Sequence, residues 1–287
     1  EMQALSQADW LVAAELDAGE REARIFLAAP LAREDIDAGL AALVGESEVI
    51  RWDAREGAVL ARRERRLGAL LLDESALAAA DPGRVLGALL EGLRGAGMQA
   101  LPWTKAATAL RERAEFVRRH LGDAEPDWAA LDDGSLMDSL ADWLAPWLDG
   151  VTRLSHLGSV DLHAALAARL GHARLRRLDE LAPTHLAVPS GSRIPIDYSD
   201  PDAPAFAVRL QEVFGLVETP RIAGGRVPLT ISLLSPAQRP VQVTRDLGSF
   251  WRSGYAEVRK ELKGRYPRHY WPEDPHSATA TRRVRPR

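Results

Sequence analysis

The 287-residue sequence contains no cysteine. That excludes disulfides, thiolate metal ligands and a cysteine nucleophile, and it fits a reducing compartment, so a cytoplasmic location is expected. No apolar run reaches the roughly 18 residues that a membrane-spanning helix needs. No basic start leads into an apolar stretch, so no secretory leader is visible. The sequence has no G-x-x-x-x-G-K-[ST] phosphate loop, no H-E-x-x-H and no G-x-S-x-G. Its histidines are scattered, and His156 and His163 lack a convincing third ligand. These absences leave no catalytic residue, no metal site and no cofactor site to assign.

What is present is the composition of a soluble globular protein, 46% hydrophobic and 27% charged, long enough for two or more packed units. The sequence opens on Glu1 and enters a strand-like run almost at once, which is the expectation for a fragment of a longer protein.

Trp10–Leu16 and Glu22–Ala28 read as strands around a turn at Asp17–Glu20. A short helix is expected over 31–43, with Ile36, Leu40 and Leu43 on one side, then a second hairpin of 48–53 and 58–72 around Arg55-Glu56-Gly57. Residues 1–75 are therefore expected to form a small OB-like β-barrel. Residues 76–183 read as a helical bundle region, with Thr104 capping a helix to Leu121 and Pro146 ending or kinking another over 133–148. Residues 184–275 read as a mixed α/β unit ending in a long amphipathic helix, and 276–287 as a disordered basic tail. The fold class is α+β.

Charge and aromatics concentrate at the end. Residues 244–287 hold 11 Lys/Arg against 5 Asp/Glu, while the first 243 residues sum to −10. A basic, aromatic-rich end on an acidic body suggests a contact surface for an anionic partner. Leu247, Phe250, Trp251, Tyr255, Val258 and Leu262 fall on one helical face, with Asp246 as N-cap and Gly264 as terminator. Phe250, Trp251 and Tyr255 suit a core better than a stacking platform. Arg259, Lys260, Lys263 and Arg265 either meet phosphates or form a solvated face. Tyr266, Tyr270 and Trp271, beyond the helix, either stack on bases or anchor the tail.

Arg62, Arg63, Arg65 and Arg66 cluster on one expected strand. They either track a nucleic-acid backbone or protect a sheet edge, and alternation splits them between two faces. Ser190–Arg193 and Ala223–Arg226 suit tight turns, or backbone amides offered to an anion. Asp197, Asp200 and Asp202 suit turn chemistry better than a metal.

The runs Leu186–Tyr198, Ala207–Leu247 and Phe250–Pro275 closely resemble the C-terminal region of the bacterial HrpB family of ATP-dependent helicases, which are similar to DEAH-type helicases of superfamily 2. EARIFLAAPL, RRERRLGALLLDE and TRLSHLGSVDL resemble the same family's preceding segment. The resemblance implies a parent with two RecA-like motor domains that use ATP and Mg, a winged helix, a helical bundle, an OB-like barrel and this family-specific end. It further implies that this sequence is an accessory half that does not hydrolyse ATP alone, with single-stranded RNA or DNA and the motor domains as partners. The competing reading is a protein-docking module that recruits or orients the helicase.

Overall fold

The computed structural model describes residues 5, 7–17, 24–124 and 128–286. The chain divides into two compact units, residues 1–92 and 93–287.

In the first unit, β1 (Leu11–Leu16) pairs antiparallel with β2 (Ile25–Pro30). The expected turn residues 18–20, and residues 22 and 23 of the second expected strand, lie outside the described residues. The Arg24 amide donates to the Asp17 carboxylate at 2.6 Å and closes the hairpin end. Helix α1 (Arg33–Gly39) buries Ile36 completely, but Leu43, expected on the same buried side, is 66% exposed. Next, β3 (Val44–Asp53), β4 (Ala58–Leu67) and β5 (Leu70–Ala76) form an antiparallel meander. The expected turn at Arg55–Gly57 is present: the Asp53 carboxylate accepts from the Arg55 and Glu56 amides at 2.8 and 3.1 Å. The expected single strand over 58–72 is two strands, because Gly68 adopts φ +57° and reverses the chain. A side chain there would meet its own backbone, so glycine is the residue that permits the turn.

The two sheets are separate, and no closed barrel forms among the described residues. This corrects the expected barrel. Alternation along a strand locates strands, but closure depends on edge pairing, which alternation does not encode. Helix α2 (Pro82–Ala96) buries Leu89 and Leu90 and passes so close to Trp52 that Gly92 touches the indole.

The second unit is built around α3 (Lys105–Leu121), which buries Ala107, Leu110, Ala114, Phe116, Val117 and Leu121 on one stripe. Thr104 caps it as expected, accepting from the Ala107 amide at 3.2 Å. Buried Arg113 donates to the Ala182 carbonyl at 2.6 Å and to the Asp179 carboxylate at 2.5 Å. The helix expected over 133–148 is broken before Pro146, into α4 (Asp133–Asp138), α5 (Leu140–Leu144) and a 3₁₀ turn. At the break Ser139 turns its hydroxyl back onto the Ser135 carbonyl at 2.6 Å, a bond that competes with helix propagation. Helices α6 (Leu162–Leu170) and α7 (His172–Leu181) pack on α3.

The remainder carries a short hairpin of β6 (His185–Ala187) and β7 (Arg193–Pro195), and β8 (Ala205–Arg209). A two-residue pair follows, β9 (Arg221–Ile222) with β10 (Val227–Pro228). β8 runs parallel to β11 (Thr230–Leu234), and β12 (Pro240–Thr244) pairs antiparallel with β11. The segment expected to be a disordered tail packs on this unit through residues 276–286: the Thr281 amide donates to the Gln211 carbonyl at 2.9 Å, and Thr281 is 7% exposed. Composition alone suggested disorder, whereas backbone bonding to a folded body holds the segment.

Replacing Gly92 with alanine is expected to destabilise the first unit by about 1–3 kcal/mol, because the new methyl would overlap the Trp52 ring. Urea unfolding followed by tryptophan fluorescence checks this. An unchanged or raised midpoint, as helix propensity alone would give, contradicts it.

Candidate nucleic-acid interface

The C-terminal block begins at Asp246, which caps its helix as expected by accepting from the Ser249 amide at 2.8 Å. The helix is not continuous. α8 (Leu247–Ser249) passes into a π-helical turn at Phe250–Gly254, then α9 (Tyr255–Arg265). Gly254 lets the Phe250 ring lie against its backbone, where an added Cβ would sit at 3.0 Å. Gly264, expected as terminator, lies inside α9, and the helix stops just before Pro267, which lacks the donor to continue it.

Phe250, Trp251 and Tyr255 are 5%, 6% and 3% exposed, so they pack as expected. Trp251, Tyr255 and Tyr270 surround Phe214, whose ring centroid lies 6.2 Å, 6.0 Å and 6.1 Å from theirs, and Phe250 lies 5.0 Å from the Trp251 ring. Their polar atoms are satisfied inside: the Trp251 indole donates to the Leu216 carbonyl and the Tyr255 hydroxyl to the Pro272 carbonyl, each at 2.8 Å.

The aromatics beyond the helix differ among themselves. Trp271 is buried and donates its indole N–H to the Tyr266 carbonyl at 2.9 Å, so it has no free face for a base. Tyr270 is half-buried edge-on to Phe214, and Tyr266 is half-buried edge-on to His269. Of the two readings, anchoring is the one this geometry favours. The cations of α9 also divide. Arg259 is spent internally, on the Trp271 carbonyl at 3.1 Å and Glu273 at 3.1 Å. Arg265 lies 3.4 Å from Glu261 at the surface. Lys260 and Lys263 are exposed, with no carboxylate within 4.0 Å among the described residues.

The four strand arginines of β4 sit in a ladder of opposite charge. In register, Glu48 faces Arg63, while Glu46 and Asp73 flank Arg65 from its two neighbours. Arg63 lies 3.8 Å from Glu48, and Arg65 lies 2.9 Å from Asp37, 3.6 Å from Glu46 and 3.7 Å from Asp73. Arg66 pairs with Glu64 at 2.6 Å, and Arg62 pairs with Glu74. Such cross-strand pairs stabilise a sheet modestly, and each cancels the charge a phosphate would need.

The two glycine loops are turns. The Ser190 and Ser192 hydroxyls donate to buried Glu212 at 3.0 and 2.5 Å, and Arg209 donates to the same carboxylate at 2.8 Å. The chain's own carboxylate thus occupies the anion position of that loop. Burial alone would raise the Glu212 carboxyl, but the hydrogen bonds from Ser192, Arg209 and Ser190 outweigh it and hold the group below the ordinary glutamate range. In the second loop the amides of Ala223, Gly225 and Arg226 donate to backbone carbonyls. Asp197 and Asp200 accept from the Ser199 and Asp202 amides, each at 2.9 Å, and Asp202 pairs with Arg119. Gln211 and Glu212, central to this region, went unnoticed in the sequence, because a polar pair before Val-Phe looks like any surface turn.

Among the described residues, Lys260 and Lys263 of α9 are thus exposed without carboxylate partners, whereas all four β4 arginines are paired. Residues 143–275 match the family described as ATP-dependent helicase C-terminal, and residues 43–77 match ATP-dependent RNA helicase HrpB, connector region. The chain is 43% identical over 284 residues to the ATP-dependent RNA helicase HrpB of Escherichia coli (strain K12), a match that takes in 98% of this chain and 35% of that protein. A crystal structure of the E. coli DExH-box NTPase HrpB superimposes with a TM-score of 0.70 at 43% identity, covering 98% of this chain and 35% of that one. A crystal structure of the Escherichia coli DEAH/RHA helicase HrpB gives 0.61 at 40% identity, covering 93% and 33%. These matches define the class as the C-terminal region of a helicase. The chain belongs to the HrpB family, and it spans about a third of the length of the curated relative it matches.

The Glu212 network yields a pH prediction. The folded-state carboxyl ionises at lower pH than the unfolded one, so its stabilisation is complete above the ordinary value of 4.5 and is lost as pH falls through the folded value. Glu212→Gln is expected to cost about 1–3 kcal/mol at neutral pH and to flatten the loss of stability on acidification. Urea midpoints measured from pH 7 to 3 test it, and parallel curves for the two proteins contradict it.

Proposed function

We propose that this chain is the accessory C-terminal region of an ATP-dependent helicase and holds single-stranded RNA or DNA by phosphate contacts. The RecA-like motor domains of the parent chain hydrolyse ATP with Mg. The chain itself performs no hydrolysis, since its sequence has no phosphate loop and matches only about a third of the relative. The observation that carries the reading is the net charge of +6 over residues 244–287 on an otherwise acidic chain, with Lys260 and Lys263 exposed and without carboxylate partners. A motor must keep one strand while its domains open and close, and sequence-tolerant phosphate contacts suit that need. Residues 1–75 belong to the same proposal as two antiparallel sheets with one intervening helix rather than as a closed barrel. A cytoplasmic setting is part of the reading, and no described helix is long and apolar enough to cross a membrane.

A second reading has its own observation. The β1–β2 hairpin exposes Leu11, Val12, Leu16, Ile25, Phe26 and Leu27 at 41–59%. An apolar hairpin of this kind suits a protein partner, either the motor domains or another factor.

Anisotropy titrations with single-stranded RNA and DNA at 50 and 200 mM salt separate the two. Nucleic-acid binding that weakens on adding salt, by about 0.7 log units per log unit of salt for each phosphate contacted, is the expected result. An absence of binding to either strand at the lower salt leaves the docking reading in its place.

A further inference from the structure

We infer that the folded-back C-terminal strap, residues 276–286, forms with Arg268 a built phosphate-contact surface for single-stranded nucleic acid. The inference rests on the nucleic-acid reading above and gives it a location that neither β4 nor the aromatic turn supplies.

The strap is held at several points along its length. The Gly215 amide donates to the Pro275 carbonyl at 2.8 Å, and the Tyr270 amide to the Val284 carbonyl at 2.9 Å. The side-chain amide of Gln211, which is 3% exposed, donates to the carbonyls of Thr281 at 3.3 Å and Arg283 at 2.6 Å. Thr281 turns inward and accepts from the Arg283 amide at 3.0 Å. Arg282, Arg283 and Arg285 are thereby left facing solvent on a fixed backbone. The Arg285 Nε donates to the Arg268 carbonyl at 3.3 Å, which brings this exposed arginine beside the strap.

Among the described residues, none of these four guanidinium groups has a carboxylate within 4.0 Å, whereas each arginine of β4 does. The nearby acids are engaged elsewhere. Glu273 pairs with Arg259, and Asp274 accepts from Ser277 and the His276 amide. Glu212 is buried among its serines and Arg209. Like charges held together without counter-charges repel one another, and a mobile tail would relieve that by swinging away. Here backbone bonds hold the strap in place, so its exposed guanidinium groups stay available to an external anion. Guanidinium matches phosphate oxygens in paired hydrogen bonds, so a polyphosphate chain is the fitting partner.

The test uses the intact chain, a fluorescein-labelled oligouridylate and salt from 50 to 200 mM. The triple variant Arg282→Gln, Arg283→Gln, Arg285→Gln changes exposed side chains only, and circular dichroism melting checks that it folds. It is expected to bind about tenfold more weakly at 0.1 M salt and to lower the slope of log K against log salt by about 2. The double variant Lys260→Gln, Lys263→Gln is expected to change the slope by less. If the unmodified chain binds but the triple variant keeps its affinity and slope, the strap inference falls and the accessory reading survives with another contact surface. If the unmodified chain binds neither oligouridylate nor oligothymidylate at 50 mM salt, both fall. Competition by polyglutamate as effective as by unlabelled oligouridylate, at equal charge concentration, overturns the inference in favour of an acidic protein segment.

Discussion

The Phe214 ring has no exposed surface, and the C-terminal half of the second unit is organised against it. Trp251 and Tyr255 reach it from the π-helical turn and α9, and Tyr270 reaches it from the segment beyond the helix. Its neighbour Gln211 bonds the strap, and Gly215 bonds Pro275 just before it. One buried aromatic therefore fixes three stretches of chain that are far apart in sequence. Tilted and edge-on ring pairs add about 0.5–1.5 kcal/mol each beyond the area they bury. The associated hydrogen bonds to carbonyls, from Trp251, Tyr255 and Trp271, set the direction from which each segment arrives.

That arrangement determines which positive charges are usable. An arginine opposite a glutamate in an antiparallel sheet serves the sheet, as on β4, where every arginine has an acidic partner. Glu212 is the same principle reversed, a buried carboxylate whose surrounding donors consume a loop otherwise suited to anions. Where no carboxylate comes within reach, as at Lys260 and Lys263 and at the strap arginines among the described residues, charge remains to act on a partner. Binding capacity thus depends less on the number of arginines than on whether the fold supplies their counter-charges.

Parts of this were legible in the sequence. The spacing of Leu247, Phe250, Trp251, Tyr255 and Leu262 indicated a buried helical face, because apolar periodicity reflects burial directly. Asp246, Thr104 and the turn at Arg55–Gly57 were legible because capping and turn chemistry are local. The π-helical turn was not, since an inserted residue barely alters the apolar spacing. Trp271 resembled an exposed stacking ring because the carbonyl that satisfies its indole belongs to a turn rather than to a regular element. The strap looked disordered because serine, threonine, alanine and arginine carry no core signal, and what anchors it is bonding of its backbone to the main chain and side chain of Gln211, about 70 positions away.

By itself the sequence determined the α+β class, the local caps and turns, the excess of positive charge at the end, and the family. The first three follow from residue type and short-range spacing, and the family from resemblance over long runs of residues. Tertiary structure alone decided that the strands form separate sheets, that the β4 arginines have acidic partners, and that Arg285 meets the Arg268 carbonyl. The reason is electrostatic and geometric. The free energy of a charge depends on the groups within a few ångströms of it, and the fold brings those groups from distant parts of the chain.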